Sequence, residues 1–85
     1  MDLRVHFDGY WDPETRKRVE DAVRSCIGEP PADETWAISI VAGFSLQYFE
    51  VQLRTPDQTR SHLFFNGVEK LPKAITDWIN IYPLR

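Results

Sequence analysis

The sequence has a single cysteine, Cys26, so no disulfide can form within the chain and no multi-cysteine metal site can assemble. No apolar run approaches the about 18–20 residues that a membrane-spanning helix needs. The opening "MDLRVHFDGY" lacks the charged-then-apolar pattern of a secretion signal. A reducing, cytoplasmic setting without membrane attachment is the expectation. Positive charge is also short: ten basic against thirteen acidic residues leave a net charge of −3, where a dedicated nucleic-acid binder is more often basic. Glycine is scarce, with four residues in 85, and no glycine-rich phosphate loop occurs.

What is present is a folding composition. Apolar residues make up 42% and aromatic residues 13%, too much for a disordered chain and about right for a small core. The length suits one globular domain over residues 1–85.

"LRVHF" alternates, with Leu3, Val5 and Phe7 on one side and Arg4 and His6 on the other, as in a half-buried strand. Asp12-Pro13 is a helix start, and Val19, Ala22, Val23, Cys26 and Ile27 form one helical stripe. On its solvent side Glu14–Arg18, Arg16–Glu20, Lys17–Asp21 and Glu20–Arg24 fall four residues apart. The run Arg16-Lys17-Arg18 is therefore a solvated face with acidic neighbours. Gly28 stops the helix.

Three further strand patterns follow, "WAISIVA", "YFEVQLR" and "TRSHLFF", the last two joined by the turn "TPDQ" with Pro56 and Asp57 at its centre. Leu71, Ala74, Ile75, Trp78 and Ile79 then mark a second helix from near Pro72, ended by Pro83. The order β-α-β-β-β-α predicts an α+β two-layer sandwich: a four-stranded mixed sheet with both helices on one face. Strands 2 to 4 form a meander, and strand 1 pairs parallel beside strand 2 or strand 4.

"VHFDGYWDP" is echoed by "LFFNGVEKLP". Glycine permits positive φ at a sharp strand-to-helix turn, so Gly9 and Gly67 are expected to serve the same folding device, with Phe7 and Phe65 inward. Asp8, Asp12 and Glu14 around the first turn do not suit an anion, nor do they match calcium-loop spacing.

The same reading leaves Arg4 and His6, and Arg60, His62 and Phe64, on the open face, joined by Tyr48, Gln52 and Arg54 and opposed by Glu50. The doubled Arg-x-His makes this face locally cationic. It can be an ordinary solvated sheet surface. It can be a protein contact, including a homodimer, for which Arg4, His6, Tyr48, Arg54, Arg60, His62 and Phe64 are the candidate residues. Or it can hold single-stranded nucleic acid, with Tyr48 and Phe64 stacking on bases. The paired histidines add an expected response between about pH 5 and 7. The order α-β-β-β-α after strand 1 is similar to the double-stranded-RNA-binding arrangement, but "VEKLPKA" mixes Lys70 and Lys73 with Glu and Pro where that domain needs a lysine cluster.

Signals for catalysis are sparse. His6 and His62 are the candidate bases or zinc ligands, without a Cys or carboxylate at motif spacing. Cys26 lies on an apolar stripe, and Ser45 in "GFSLQ" lacks the second glycine of a nucleophile elbow. A non-catalytic binding domain without cofactor or metal is the expectation, with a protein as partner and nucleic acid behind it.

Overall fold

The computed structural model describes residues 2–43 and 47–81. Strands β1 (Asp2–Asp8), β2 (Thr35–Ala42), β3 (Phe49–Arg54) and β4 (Thr59–Phe64) form one sheet in the order β1-β2-β3-β4. The β1–β2 pair is parallel and the other two are antiparallel. Helix α1 (Pro13–Ile27) connects β1 to β2, and a short 3-10 turn (Val68–Lys70) leads into helix α2 (Leu71–Ile81). The predicted α+β order and mixed four-stranded sheet are thus present, and strand 1 lies beside strand 2. The end expected at Pro83 lies outside the described residues.

Helix α1 starts where local chemistry favours it. Asp12 Oδ2 accepts hydrogen bonds from the Thr15 backbone N–H (3.1 Å) and hydroxyl (3.2 Å), with Pro13 in the first turn. At the far end Gly28 takes φ 74° while its N–H reaches the Arg24 carbonyl at 2.9 Å. The pairs Glu14–Arg18, Lys17–Asp21 and Glu20–Arg24 form as expected. Arg16 instead lies over the Phe7 ring, 5.2 Å from its centroid. Arg24 also donates to the Leu3 carbonyl at 2.8 Å, which ties α1 to β1.

The core fills the space between the helices and one sheet face. Leu3, Trp36, Ile38, Ile40, Phe49, Val51 and Leu53 are buried there against Val19 and Val23 of α1 and Leu71, Ile75, Trp78 and Ile79 of α2. Trp11 closes the β1–α1 corner. Its ring meets Phe7 at 5.0 Å and Phe49 at 5.5 Å, and its Nε1 donates to the Asp8 carbonyl at 2.8 Å.

The facing of β4 corrects the sequence reading. Thr55 N–H bonds to the Gln58 carbonyl (2.8 Å), a tight turn that sets Leu53 opposite Arg60, Val51 opposite His62 and Phe49 opposite Phe64. Cross-strand partners share a face, so Arg60, His62 and Phe64 point to the helix side. Phe64 is a core residue, whereas Phe65, expected inside, is 75% exposed. His62 stacks on Trp78 at 5.9 Å and meets Phe64 edge-on at 4.7 Å. Polar residues are tolerated there because β4 is an edge strand, and Arg60 and His62 both retain contact with solvent. The two Arg-x-His segments therefore lie on opposite faces, and the reason for expecting a joint pH response disappears.

The two glycine turns also differ. Gly9 has φ 90°, and a Cβ added there would lie 3.1 Å from the Ala42 carbonyl oxygen. Gly67 has φ −66° in extended backbone, with open space where a Cβ would stand. Only the first turn needs glycine. Gly9→Ala is expected to destabilise the fold by about 1 kcal/mol or more, and Gly67→Ala to stay within about 0.5 kcal/mol of the parent, as read by urea denaturation. In the same assay His62→Ala should lose about 0.5–1 kcal/mol of ring packing, while His6→Ala, on the uncovered face, should be neutral.

Candidate functional site: the uncovered sheet face

Residues that alternate with the core side chains line the face that no helix covers. The strand registers arrange them in three rows that cross the sheet from β1 to β4. Arg4, Ala37, Arg54 and Thr59 make the first; His6, Ser39, Gln52 and Ser61 the second; Asp8, Val41, Glu50 and Leu63 the third. Charge is therefore graded along the strands. Two arginines stand at one end, with Asp2 one step beyond Arg4 on the same face, uncharged polar side chains and His6 lie in the middle, and two carboxylates stand at the other end. Along β2 the small side chains of Ala37 and Ser39 form the floor between longer ones on β1 and β3.

The ionisable groups of this face are poorly paired within the chain. Arg4 Nε contacts Asp2 Oδ2 at 3.2 Å, with both side chains more than half exposed, a pair of little energetic value. No ion pair is formed by Arg54, Glu50 or Asp8 among the described residues. The acidic neighbours along α1 and α2 by contrast absorb most of the helical cations, including Lys73 on Asp77 at 2.8 Å.

An aromatic cluster sits just beyond the carboxylate row. Tyr48 and Phe65 extend the β3–β4 pairing by one step, with ring centroids 6.1 Å apart. Tyr48 also lies over Gly43, whose N–H donates to the Tyr48 carbonyl at 2.8 Å; a Cβ on Gly43 would collide with the ring. Leu63 is 45% exposed next to this pair.

Of the residues singled out from the sequence, the structure brings Arg4, His6, Arg54 and Tyr48 to one face. It separates from them Arg60 and His62, at the β4 edge on the helix side, and Phe64, in the core. Asp8, Leu63 and Phe65 share the face and were not anticipated. Their signal was the turn "TPDQ": with Pro56 and Asp57 central, Leu53 must pair with Arg60, which sends Leu63 and Phe65 outward.

The remaining chemistry-bearing groups are dispersed. Among the described residues no group of three His, Cys, Asp or Glu side chains could hold a metal ion. Ser45 lies outside the described residues. Cys26 is half-buried on α1, its Sγ 3.8 Å from Asn80 Oδ1, and burial raises its pKa above the ordinary thiol value, outweighing the Thr76 contact that lowers it. A raised pKa means less thiolate at a given pH, the opposite of an activated nucleophile. Iodoacetamide at pH 8 should accordingly modify native Cys26 more slowly than the urea-unfolded chain, by about threefold or more. Equal rates in the two states would show that burial does not restrain the thiol.

No protein-family profile matches the chain, and no curated protein matches it in sequence. Among the solved structures that match the chain are the following two. The N-terminal domain of Thermus thermophilus Protein Y superposes with a TM-score of 0.55 over 96% of this chain and 99% of that one, at 8% identity. A ribosomal subunit interface protein from Coxiella burnetii aligns over the whole of both chains at 16% identity and a TM-score of 0.49. At this identity the Protein Y likeness establishes a shared α+β fold.

Proposed function

We propose that the chain is a non-catalytic binding domain whose uncovered sheet face contacts another protein, with Arg4, His6, Tyr48 and Arg54 among the contact residues. One observation carries the reading: the two described helices leave one sheet face uncovered, and among the described residues Arg54, Glu50 and Asp8 form no ion pair while Arg4 meets only Asp2. An ordinary solvated face distributes opposite charges side by side, where they pair across strands. Here, apart from the exposed Asp2–Arg4 contact, the arginine row and the Asp8–Glu50 row stand at opposite ends, which favours an outside partner of matching polarity. Exposed Tyr48, Leu63 and Phe65 add the apolar component that protein contacts use.

Single-stranded nucleic acid fits this face less well. The stacking pair Tyr48–Phe65 is separated from the arginines by Asp8 and Glu50, so a strand stacked on the rings would lay phosphates over carboxylates. A ribosomal subunit is the partner that the Coxiella protein's name gives for that protein. For this chain the acidic balance and the paired cations of both helices speak against an RNA surface.

The test compares a face variant, Arg4→Ala/His6→Ala/Arg54→Ala, with a helix control, Lys17→Ala/Arg18→Ala, in quantitative capture of partners from a cell extract. Loss of about tenfold or more of specifically bound protein in the face variant alone supports the reading. Equal capture by both variants overturns it. So does ribosome co-sedimentation that weakens steeply with salt and is lost only in the helix control.

A further inference from the structure

The charge order of the open face has a symmetry that selects one partner. A twofold axis lying in the face and running across the strands, along the row His6–Ser39–Gln52–Ser61, sets a second copy of the sheet over the first with strand directions reversed. Each strand then faces its own equivalent. The arginine row of one copy lies over the carboxylate row of the other: Arg4 over Asp8, Ala37 over Val41, Arg54 over Glu50, Thr59 over Leu63, each pairing made twice. No charged residue of these rows meets a like charge, and Asp2, one step beyond Arg4 on the same face, is carried past the end of the partner's β1. From this self-complementarity, and resting on the reading of this face as a contact surface, we infer that its partner is a second copy of the chain, packed sheet to sheet with strands reversed.

Three further features agree. The small side chains Ala37 and Ser39 on β2 let the sheets approach to about the 10 Å spacing of stacked sheets. By the same register Tyr48 and Phe65, four residues from the axis row, fall opposite the partner's turn, Tyr48 against Pro56, an apolar neighbour, and Phe65 against Asp57. The footprint also fits a dimer of modest affinity. Four strands about 4.8 Å apart and seven residues of about 3.3 Å rise cover about 440 Å² of flat area. That is about half the area per partner of a standard stable interface, so weak, reversible association is expected.

Within one protomer Arg54 and Glu50 lie four residues apart on β3, about 13 Å, and do not pair. Reversing either charge should leave the monomer intact and set like charges together twice across the axis. Reversing both should restore the match. Sedimentation velocity on the full chain, Arg54→Glu, Glu50→Arg and the double variant over about 10–500 µM reads this directly. The expected result is a concentration-dependent shift from 10.0 kDa toward twice that mass in the parent and the double variant. Each single variant should be weakened about tenfold or more. Amide shifts on dilution of the unmodified protein, centred on Ser39 and Gln52, give the same answer without substitution.

A parent that stays monomeric over this range overturns the inference, as does a double variant no better than the singles, or single variants that associate like the parent. A monomeric parent whose triple face variant still loses a protein partner in the capture assay would remove only the second copy, leaving the contact face in place.

Discussion

The turn at Thr55–Gln58 decides what the open face is made of. A four-residue connection closed by the Thr55–Gln58 hydrogen bond, with two residues at its tip, allows one register, and in that register Leu53, Val51 and Phe49 carry Arg60, His62 and Phe64 to their own side of the sheet. Had the register slipped by one residue, every side chain of β4 would exchange faces. Phe64 would leave the core and Leu63 would enter it. Burial of Phe64 next to Trp78 and the turn's own hydrogen bond act in the same direction, so the strand is held at both its ends. The composition of the other face, with Ser61 in the axis row and Leu63 beside Glu50, is the consequence.

That constraint also explains how much the sequence reveals. Periodicity locates all four strands and both helices, because each has a stripe or alternation whose burial the structure repeats: Val19 and Val23 in α1, Ile75 and Trp78 in α2, Val51 and Leu53 in β3. It fails on β4, where "TRSHLFF" invites Leu63 and Phe65 inside because they alternate with Arg60, His62 and Phe64. Alternation alone cannot choose between two aromatic neighbours of opposite parity. Leu53 and the turn length together can, since partners opposite each other share a face. Local hydropathy gives way to register at an edge strand, where a histidine can lie on the core side, stack on Trp78 and still touch water.

The same distinction separates the two glycine turns. "FDG" and "FNG" look alike as strings, yet Gly9 approaches the Ala42 backbone with φ 90° while Gly67 is extended and unobstructed. The first chain reversal must bring Pro13 into a helix a few residues after a strand that runs parallel to its neighbour. The second enters through a 3-10 turn that absorbs the change of direction over Val68–Lys70. Local composition proposes a turn; the space left by neighbouring strands decides its backbone.

Two helices with one apolar stripe each can cover one side of a four-stranded sheet, and here they do. The uncovered side therefore makes no demand on the core: Arg54, Glu50 and His6 can change without emptying a packed site, whereas the buried residues across the sheet cannot. The arginine and carboxylate rows of that face are four residues apart, about 13 Å, so their charges are too far apart along a strand to neutralise one another strongly in water. A surface of this kind keeps its polarity until something of opposite polarity covers it. Reversed stacking of the same surface meets that requirement with no further residue, because the twofold operation exchanges the two charged rows and leaves the uncharged residues of the middle row facing themselves.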